Sequence, residues 1–230
     1  MKNRYLIALT TLVIISLLIG CTTPKGNESP STSTSTYPVT VESCGEPVTF
    51  DAAPTRALSF DTNMTEIMLA LGLENKMVGY WISGVPVGQE YQEQVKNIPL
   101  ISTVTWPPPS LEEILNFNPD FAFGAWNYNF SEESGVTPEK LAQAGIKSYV
   151  LTESCIAVGI KPDESLESTY IDILNIGKIF CVETRAEELV NQMREKITTV
   201  QEQIGKVDTP LRGFYYGGGA DTAFTAGKYA

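Results

Sequence analysis

Short apolar segments alternate with helix-forming segments along the middle of the chain, and this order restricts the fold more than any other feature. After a predicted hairpin over residues 39–50, the predicted strands are Ala57–Phe60, Met77–Trp81, Phe121–Trp126 and Ser148–Thr152. Two strands that are joined through a helix pair in parallel, and the helix packs on a face of the sheet. The sequence therefore predicts an α/β lobe, Rossmann-like, in which helices flank a parallel sheet.

Capping sequences mark the expected helix starts between these strands. Asn63 with Glu66, and Ser110 with Glu113, have the spacing of a capping box, in which the first residue and the glutamate each accept a backbone N–H. Thr137 precedes a proline, which is favoured at the first helical position. We therefore expect three short helices within this lobe.

The residues after the predicted sheet are expected to form two longer helices. The first covers residues 165–180, and the second begins with Thr184 and Glu187 as a cap and ends near Gly205. About 22 residues at ~1.5 Å each give a rod of about 33 Å, the diameter of a small domain. Such a rod can carry the chain to another lobe, whose first strand would start in Leu211–Tyr216. The predicted parts are a first lobe at 39–160, a helical linker at 161–208 and the beginning of a second lobe at 209–230.

The N-terminus has the pattern of a lipoprotein signal peptide. Lys2 and Arg4 precede an apolar run that ends in small residues and Cys21. Because the run is short for a membrane span, residues 1–20 are predicted to be cleaved and Cys21 to receive a lipid. Residues 21–38 are rich in Ser, Thr, Pro and Gly, which is typical of a flexible tether. An uncleaved N-terminal anchor is the alternative, and both interpretations place the folded part on the outer face of the cytoplasmic membrane.

Composition narrows the function. Histidine is absent and the formal net charge is −11. The first fact excludes Ser-His-Asp and Cys-His catalysis and histidine-ligated zinc, and the second disfavours nucleic-acid binding. We therefore expect a binding protein with no catalytic residues, no resident metal and no cofactor; a lipid-anchored surface enzyme is the alternative from a different class.

Three cysteines remain once Cys21 is assigned to the lipid. Cys44 and Cys155 lie in polar, turn-like surroundings, whereas Cys181 follows an apolar run and resembles a buried core residue. We predict a disulfide between Cys44 and Cys155 in the oxidising compartment. Three reduced thiols are the alternative, because sequence alone does not fix connectivity.

The predicted ligand site lies where the strands end. Ligands of open α/β sheets bind outside the carboxyl ends of the strands, and aromatic rings supply area for a large, partly planar solute. The candidate residues at or near these ends, with one from the predicted second lobe, are Phe60, Asp61, Trp81, Trp106, Trp126, Tyr128 and Tyr215. For any single tryptophan, packing in the core is the alternative.

Several ordered motifs resemble the substrate-binding lipoproteins of ABC importers that carry ferric siderophores, cobalamin or haem. They include the signal peptide ending at Cys21, Thr65-Glu66-Ile67, Val78-Gly79-Tyr80, Ser110-Leu111-Glu112-Glu113-Ile114, Asn118-Pro119-Asp120 and Phe224-Thr225-Ala226-Gly227. The resemblance implies two α/β lobes joined by one long helix, with the solute in the cleft between them. It also implies that Glu66 docks into an arginine pocket of the membrane permease.

The resemblance leaves the solute open. A ferric siderophore is expected first, with cobalamin and haem as alternatives, and the bound solute would be an iron chelate or a corrinoid recognised without ligation of its metal. Only 20 residues follow Pro210, and such a segment cannot bury a core of its own. We therefore expect the chain to be truncated within its second lobe.

Overall fold

The computed structural model describes residues 36–162 and 165–206, together with Thr209, Tyr216 and Thr222. The signal peptide, the lipid site Cys21, the tether up to residue 35, the candidate Tyr215 and nearly all of the predicted second lobe lie outside the described residues. Within the described ranges, no helix is both long and apolar enough to cross a membrane.

An antiparallel hairpin precedes the main sheet. Its strands are β1 (Val39–Ser43) and β2 (Glu46–Phe50). Cys44 and Gly45 form the two-residue turn, and both have positive φ angles, 48° and 78°. Two positive φ values are typical of the I′ turn, whose twist suits a tight hairpin. The hairpin predicted over residues 39–50 is confirmed.

The main sheet is parallel and has the order β4-β3-β5-β6. Its strands are β3 (Ala57–Phe60), β4 (Met77–Trp81), β5 (Phe121–Gly124) and β6 (Lys147–Val150). β5 and β6 end two residues earlier than predicted, because a tight turn begins at Ala125 and a 3-10 segment begins soon after β6. The predicted fold class, a parallel sheet flanked by helices, is confirmed.

Six α-helices occur in the described part of the chain. They are α1 (Thr62–Ala70), α2 (Gln92–Val95), α3 (Leu111–Leu115), α4 (Pro138–Gln143), α5 (Glu167–Ile179) and α6 (Glu183–Ile204). One apolar cluster joins Phe121 and Phe123 of β5 to α1 and α5. A second joins Leu58 and Ala122 to α3 and α4 on the other side of the sheet. Helices therefore cover both faces, as the alternation in the sequence predicts.

The predicted caps hold for the two middle helices. The Ser110 side chain accepts from the backbone of Glu113, and the Glu113 carboxylate accepts from the backbone of Ser110. Thr137 caps α4 by accepting from Lys140 N. These residues are local neighbours, so no distant contact is needed to form either cap.

The other two predicted caps are wrong. α1 begins at Thr62 with Asp61 as its N-cap, because the chain turns into the helix directly after β3. Glu66 is then too far along the helix for a capping box. α6 begins at Glu183, one residue before the predicted cap Thr184, and the residue before it makes no side-chain cap.

The last helix, α6, is 22 residues long, and it packs on α5. Its buried residues, Ala186 and Val190, lie in the first half. A Cβ atom on Gly177 of α5 would lie 2.4 Å from Ala186 Cβ, so glycine permits this close approach. The predicted rod is present, and its role as a connector between two lobes stays a prediction.

Candidate functional site

The carboxyl ends of β3, β4, β5 and β6 meet at one edge of the sheet because all four strands are parallel. We call this edge, with the loops that follow the strands, the carboxyl edge. The sequence candidates that it brings together are Phe60 at the end of β3, Asp61 directly after it, Trp81 at the end of β4, and Trp126 and Tyr128 after β5. Glu153, in the 3-10 segment after β6, lies at the same edge. Trp106 belongs to the long loop that follows β4.

Phe60 and Trp81 are core residues and not rim residues. Both side chains have no exposed surface and pack in the same apolar cluster as Ile114 of α3. The Trp81 Nε1 atom donates a hydrogen bond to the carbonyl of Val104, 2.9 Å away. The prediction that these two residues line the ligand rim is therefore corrected. The loop after β4 folds over the end of that strand and covers Trp81, whereas the ring of Phe60 packs against Phe130, which follows β5.

Asp61 connects β3 to that loop. Its carboxylate accepts from Thr62 N at 2.8 Å and from the Ser83 hydroxyl at 2.8 Å, and only 6% of the residue is exposed. Its φ of 67° is uncommon for a residue other than glycine, and such strain is found at functional sites. The carboxylate is thus occupied in holding the loop, with its negative charge kept at the carboxyl edge.

Two further side chains of α1 hold the same loop. The Thr62 hydroxyl donates to the carbonyl of Val85, and the Glu66 carboxylate accepts from Gly88 N at 2.7 Å. Glu66 is half-buried, and this bond to the loop replaces the capping bond that the sequence suggested. The start of α1 and the first part of the loop therefore form one hydrogen-bonded unit.

Trp106 is the most exposed of the aromatic candidates that the structure describes, with 68% of its surface accessible. Val85 and Val104 on the same loop are also more than half exposed. Large apolar side chains on a hydrogen-bonded loop have area that a solute or a partner can cover.

Trp126 and Tyr128 lie in a tight turn after β5. The Trp126 backbone N–H donates to Ser154 Oγ at 3.0 Å, which joins this turn to the segment after β6. The half-buried indole meets Phe130 edge-on and lines a cavity of about 300 Å³ beside the hairpin. Trp126 thus borders a side cavity next to the disulfide, and its contact with a solute stays a prediction.

Tyr128 and Glu153 form the polar part of the carboxyl edge. Tyr128 is 38% exposed, and its hydroxyl lies 3.5 Å from the exposed Glu153 carboxylate. Burial raises the pKa of Tyr128, and the negative charges of Glu153 and Asp61 raise this pKa further. The tyrosine therefore stays protonated and can donate a hydrogen bond, in a negative electrostatic environment.

The disulfide joins Cys44 in the hairpin turn to Cys155 in the 3-10 segment Thr152–Val158, across 111 residues of sequence. The disulfide predicted from the sequence is confirmed. Cys181 is half-buried instead of fully buried and has a positive φ of 59°. The bond fixes the segment that carries Glu153 at the carboxyl edge.

Asp172 is a supporting residue that the sequence analysis missed. It lies in α5, is 1% exposed, and accepts from the Tyr149 hydroxyl at 2.8 Å and from the Thr152 hydroxyl at 2.6 Å. Burial raises its pKa to about 6 against the lowering effect of these hydrogen bonds. An acidic residue among the apolar positions of a predicted helix was the available signal. Among the described residues, no group of three or more His, Cys, Asp or Glu side chains is placed to hold a metal ion.

A sequence profile described as "Periplasmic binding protein" matches residues 59–229. The chain is 26% identical over 206 residues to the uncharacterized ABC transporter substrate-binding lipoprotein YvrC of Bacillus subtilis (strain 168), over 88% of this chain and 60% of that protein. The chain therefore spans about 60% of the length of this curated relative.

Solved structures show the same architecture. A periplasmic binding protein from Veillonella parvula superposes with a TM-score of 0.67 at 27% identity, over 82% of this chain and 60% of that one. An ABC-type Fe3+-hydroxamate transport system structure from Saccharomonospora viridis superposes with a TM-score of 0.61 at 26% identity, over 73% and 57%.

Proposed function

This chain belongs to the periplasmic binding protein family, whose members bind solutes and are not enzymes, and we propose that it is the extracytoplasmic solute-binding component of an ABC importer. In this proposal it captures a ferric siderophore and delivers it to a membrane permease. Its likeness to an ABC transporter substrate-binding lipoprotein supports the importer role. Its likeness to an Fe3+-hydroxamate transport structure supports an iron chelate as the solute.

The observation that carries the proposal is the carboxyl edge itself. Trp106 and Tyr128 expose aromatic surface near the place where open α/β sheets bind ligands, and Glu153 adds a polar group beside them. Flat rings suit a bulky, partly planar chelate, and the tyrosine hydroxyl can donate to its oxygen atoms. Cobalamin and haem, which have large macrocyclic rings, stay as the alternative solutes.

The frame behind this edge is fixed by hydrogen bonds. Asp61 ties the end of β3 to Ser83, and Asp172 ties α5 to Thr152 at the start of the segment after β6. A preorganised site loses less conformational entropy on binding than a mobile one does. This rigidity favours reversible capture of a solute.

Glu66 is proposed as the residue that docks with the permease. It lies on α1, half-buried, beside a loop with the exposed residue Val85. One carboxylate oxygen accepts from Gly88, and a carboxylate has acceptor capacity left for an arginine fork. The lipid on Cys21 and the tether after it are proposed to keep the protein at the membrane near this permease.

The solute is tested by calorimetric titration of the full-length protein with ferrioxamine B, cobalamin and haem. We expect ferrioxamine B to bind, and Trp106→Ala to weaken its binding by about tenfold because an aromatic anchor is lost. Val200→Ala, which removes an exposed apolar side chain on α6, serves as the control. If only haem or cobalamin binds, that compound and not a siderophore is the solute. If Trp106→Ala binds ferrioxamine B with unchanged affinity, Trp106 does not belong to the binding site.

The lipid anchor is tested by fractionation. We expect the protein to be recovered with membranes and Cys21→Ala to be released from them. Recovery of both proteins in the soluble fraction would contradict the lipid anchor. It would not contradict the proposal that the protein binds a solute.

A further inference from the structure

The charged residues at the carboxyl edge indicate which class of solute the proposed function would select. Asp61, which follows β3, and the segments 82–110, 125–137 and 151–162, which follow the other three strands, together contain six carboxylates and two lysines. Lys96 pairs with Glu93, so these two charges cancel and five carboxylates and one lysine remain. The segments that follow the strands therefore carry an excess of negative charge.

We propose that this edge selects ferric chelates that are positively charged or neutral and rejects anionic ones. The inference rests on the proposed function, because it assumes that a ferric chelate is the solute. It names the charge class of that solute and assigns the selection to Glu153.

Glu153 is the carboxylate best placed for this role. It is exposed, and it lies 3.5 Å from the hydroxyl of Tyr128, so a solute that covers the tyrosine also meets the charge. Asp61, which is almost fully buried, adds a second negative charge close enough to raise the pKa of the same tyrosine. Low-dielectric walls around like charges focus their field on the space in front of them.

The charge of a ferric chelate depends on its chelating groups. Hydroxamates are singly charged and together neutralise ferric iron, and a free amine on the chelator then makes the complex a cation. Catecholates are doubly deprotonated and leave the complex an anion, and haem has two propionate groups that are also negative at neutral pH. The negative edge therefore favours an amine-bearing or neutral hydroxamate over these anions.

A series of chelates with one skeleton isolates charge from shape. Ferrioxamine B is a cation, its N-acetyl derivative is neutral and its N-succinyl derivative is an anion, and all three keep the same iron-binding core. We expect affinity for the full-length protein to fall from the cation to the anion, by about fivefold for each unit of charge, as for unit charges several ångströms apart in a partly solvated site. We also expect this spread to shrink as salt is added, because salt screens partly exposed charges.

The variant Glu153→Gln tests the assigned residue. It should lower the affinity for ferrioxamine B by about fivefold and narrow the difference in affinity between the cation and the anion. Glu187→Gln, which removes an exposed carboxylate on α6, is the matched control and should leave the spread unchanged.

The outcomes separate the two claims. Equal affinities across the series, or tightest binding of the anion, overturn the charge selection and leave the importer function in place. If Glu153→Gln shows the same difference in affinity between the cation and the anion as the parent protein, the assignment of the selection to Glu153 is overturned. Failure of all three chelates to bind a folded protein overturns the ferric-hydroxamate solute, and the charge selection falls with it.

Discussion

Replacing Asp172 by alanine is the sharpest test of how the carboxyl edge is supported. The carboxylate is almost fully buried in α5 and accepts from the Tyr149 hydroxyl at 2.8 Å. It also accepts from the hydroxyl of Thr152 at 2.6 Å and from its backbone N–H at 3.1 Å. Asn175 donates to Tyr149 from the other side. The substitution therefore leaves three donors on two residues without their acceptor.

The expected loss of stability follows from these donors. A buried donor that loses its acceptor costs about 1–3 kcal/mol, and the two donors of the half-buried Thr152 are partly compensated by water. We therefore expect Asp172→Ala to lower the free energy of unfolding by about 3 kcal/mol. For a domain of this size, that loss corresponds to a decrease in Tm of roughly 6–12 °C.

Thermal unfolding followed by circular dichroism measures this loss. Tyr149→Phe is the matched control: it removes one hydroxyl, keeps the ring against Phe123 and should cost about 1 kcal/mol. The two losses should not add in the double variant, because both single variants break the same hydrogen bond. A Tm of Asp172→Ala within 1 °C of the parent would refute the view that this carboxylate supports the carboxyl edge.

The pH dependence of the same carboxylate is the second part of this test. Burial raises the pKa of Asp172 to about 6, so the folded protein binds this proton more tightly than the unfolded chain does. Ionisation of a group with a raised pKa costs stability as the pH rises from about 4 to about 6, by up to roughly 3 kcal/mol. Asp172→Asn, which cannot ionise, should lack this decline. If the free energy of unfolding changes with pH in the same way in the parent protein and in Asp172→Asn, the raised pKa of Asp172 is contradicted.

Three other substitutions test separate parts of the molecule. Replacing Cys44 and Cys155 by serine should lower the free energy of unfolding, measured with urea, by about 2–5 kcal/mol, because the disulfide no longer closes the long loop between them. Equal stability of this variant and the oxidised parent protein would show that the disulfide is dispensable. Gly177→Ala should lower the free energy of unfolding by about 1–3 kcal/mol, because the added methyl group clashes with Ala186. A variant that is more stable than the parent would show that α5 and α6 can move apart without loss of stability. Glu66→Gln should keep the Tm within about 2 °C, because the amide oxygen can still accept from the loop, and should weaken binding to the permease; normal transport would remove Glu66 from the docking site.

Local patterns were sufficient for much of the fold. β3 and β4 have the predicted bounds, and α6 has the predicted length, because apolar spacing and strand length are properties of short segments. The caps at Ser110 and Thr137 involve residues three positions apart. Each of these features depends on neighbours in the sequence, and for that reason it is visible there.

The candidate site was harder to predict because exposure depends on distant segments. Trp81 ends a strand, and such a position is open unless a later loop covers it. The loop does so by pairing beside Tyr80, where Ile101 N donates to the Tyr80 carbonyl at 2.8 Å, and by accepting the Trp81 indole N–H at Val104. The sequence contains no local pattern that predicts these hydrogen bonds. From the sequence alone, Trp81 and Trp106 are therefore equivalent candidates.

The loop after β4 also relates the two proposed surfaces of the lobe. Asp61, at the carboxyl edge, binds the loop at Ser83, and Glu66, at the proposed docking site, binds it five residues later at Gly88. These acidic residues lie five positions apart at the start of the same helix, so their loop contacts are held in one rigid arrangement. Both proposed surfaces therefore contact one loop, which is held by hydrogen bonds to the start of a single helix.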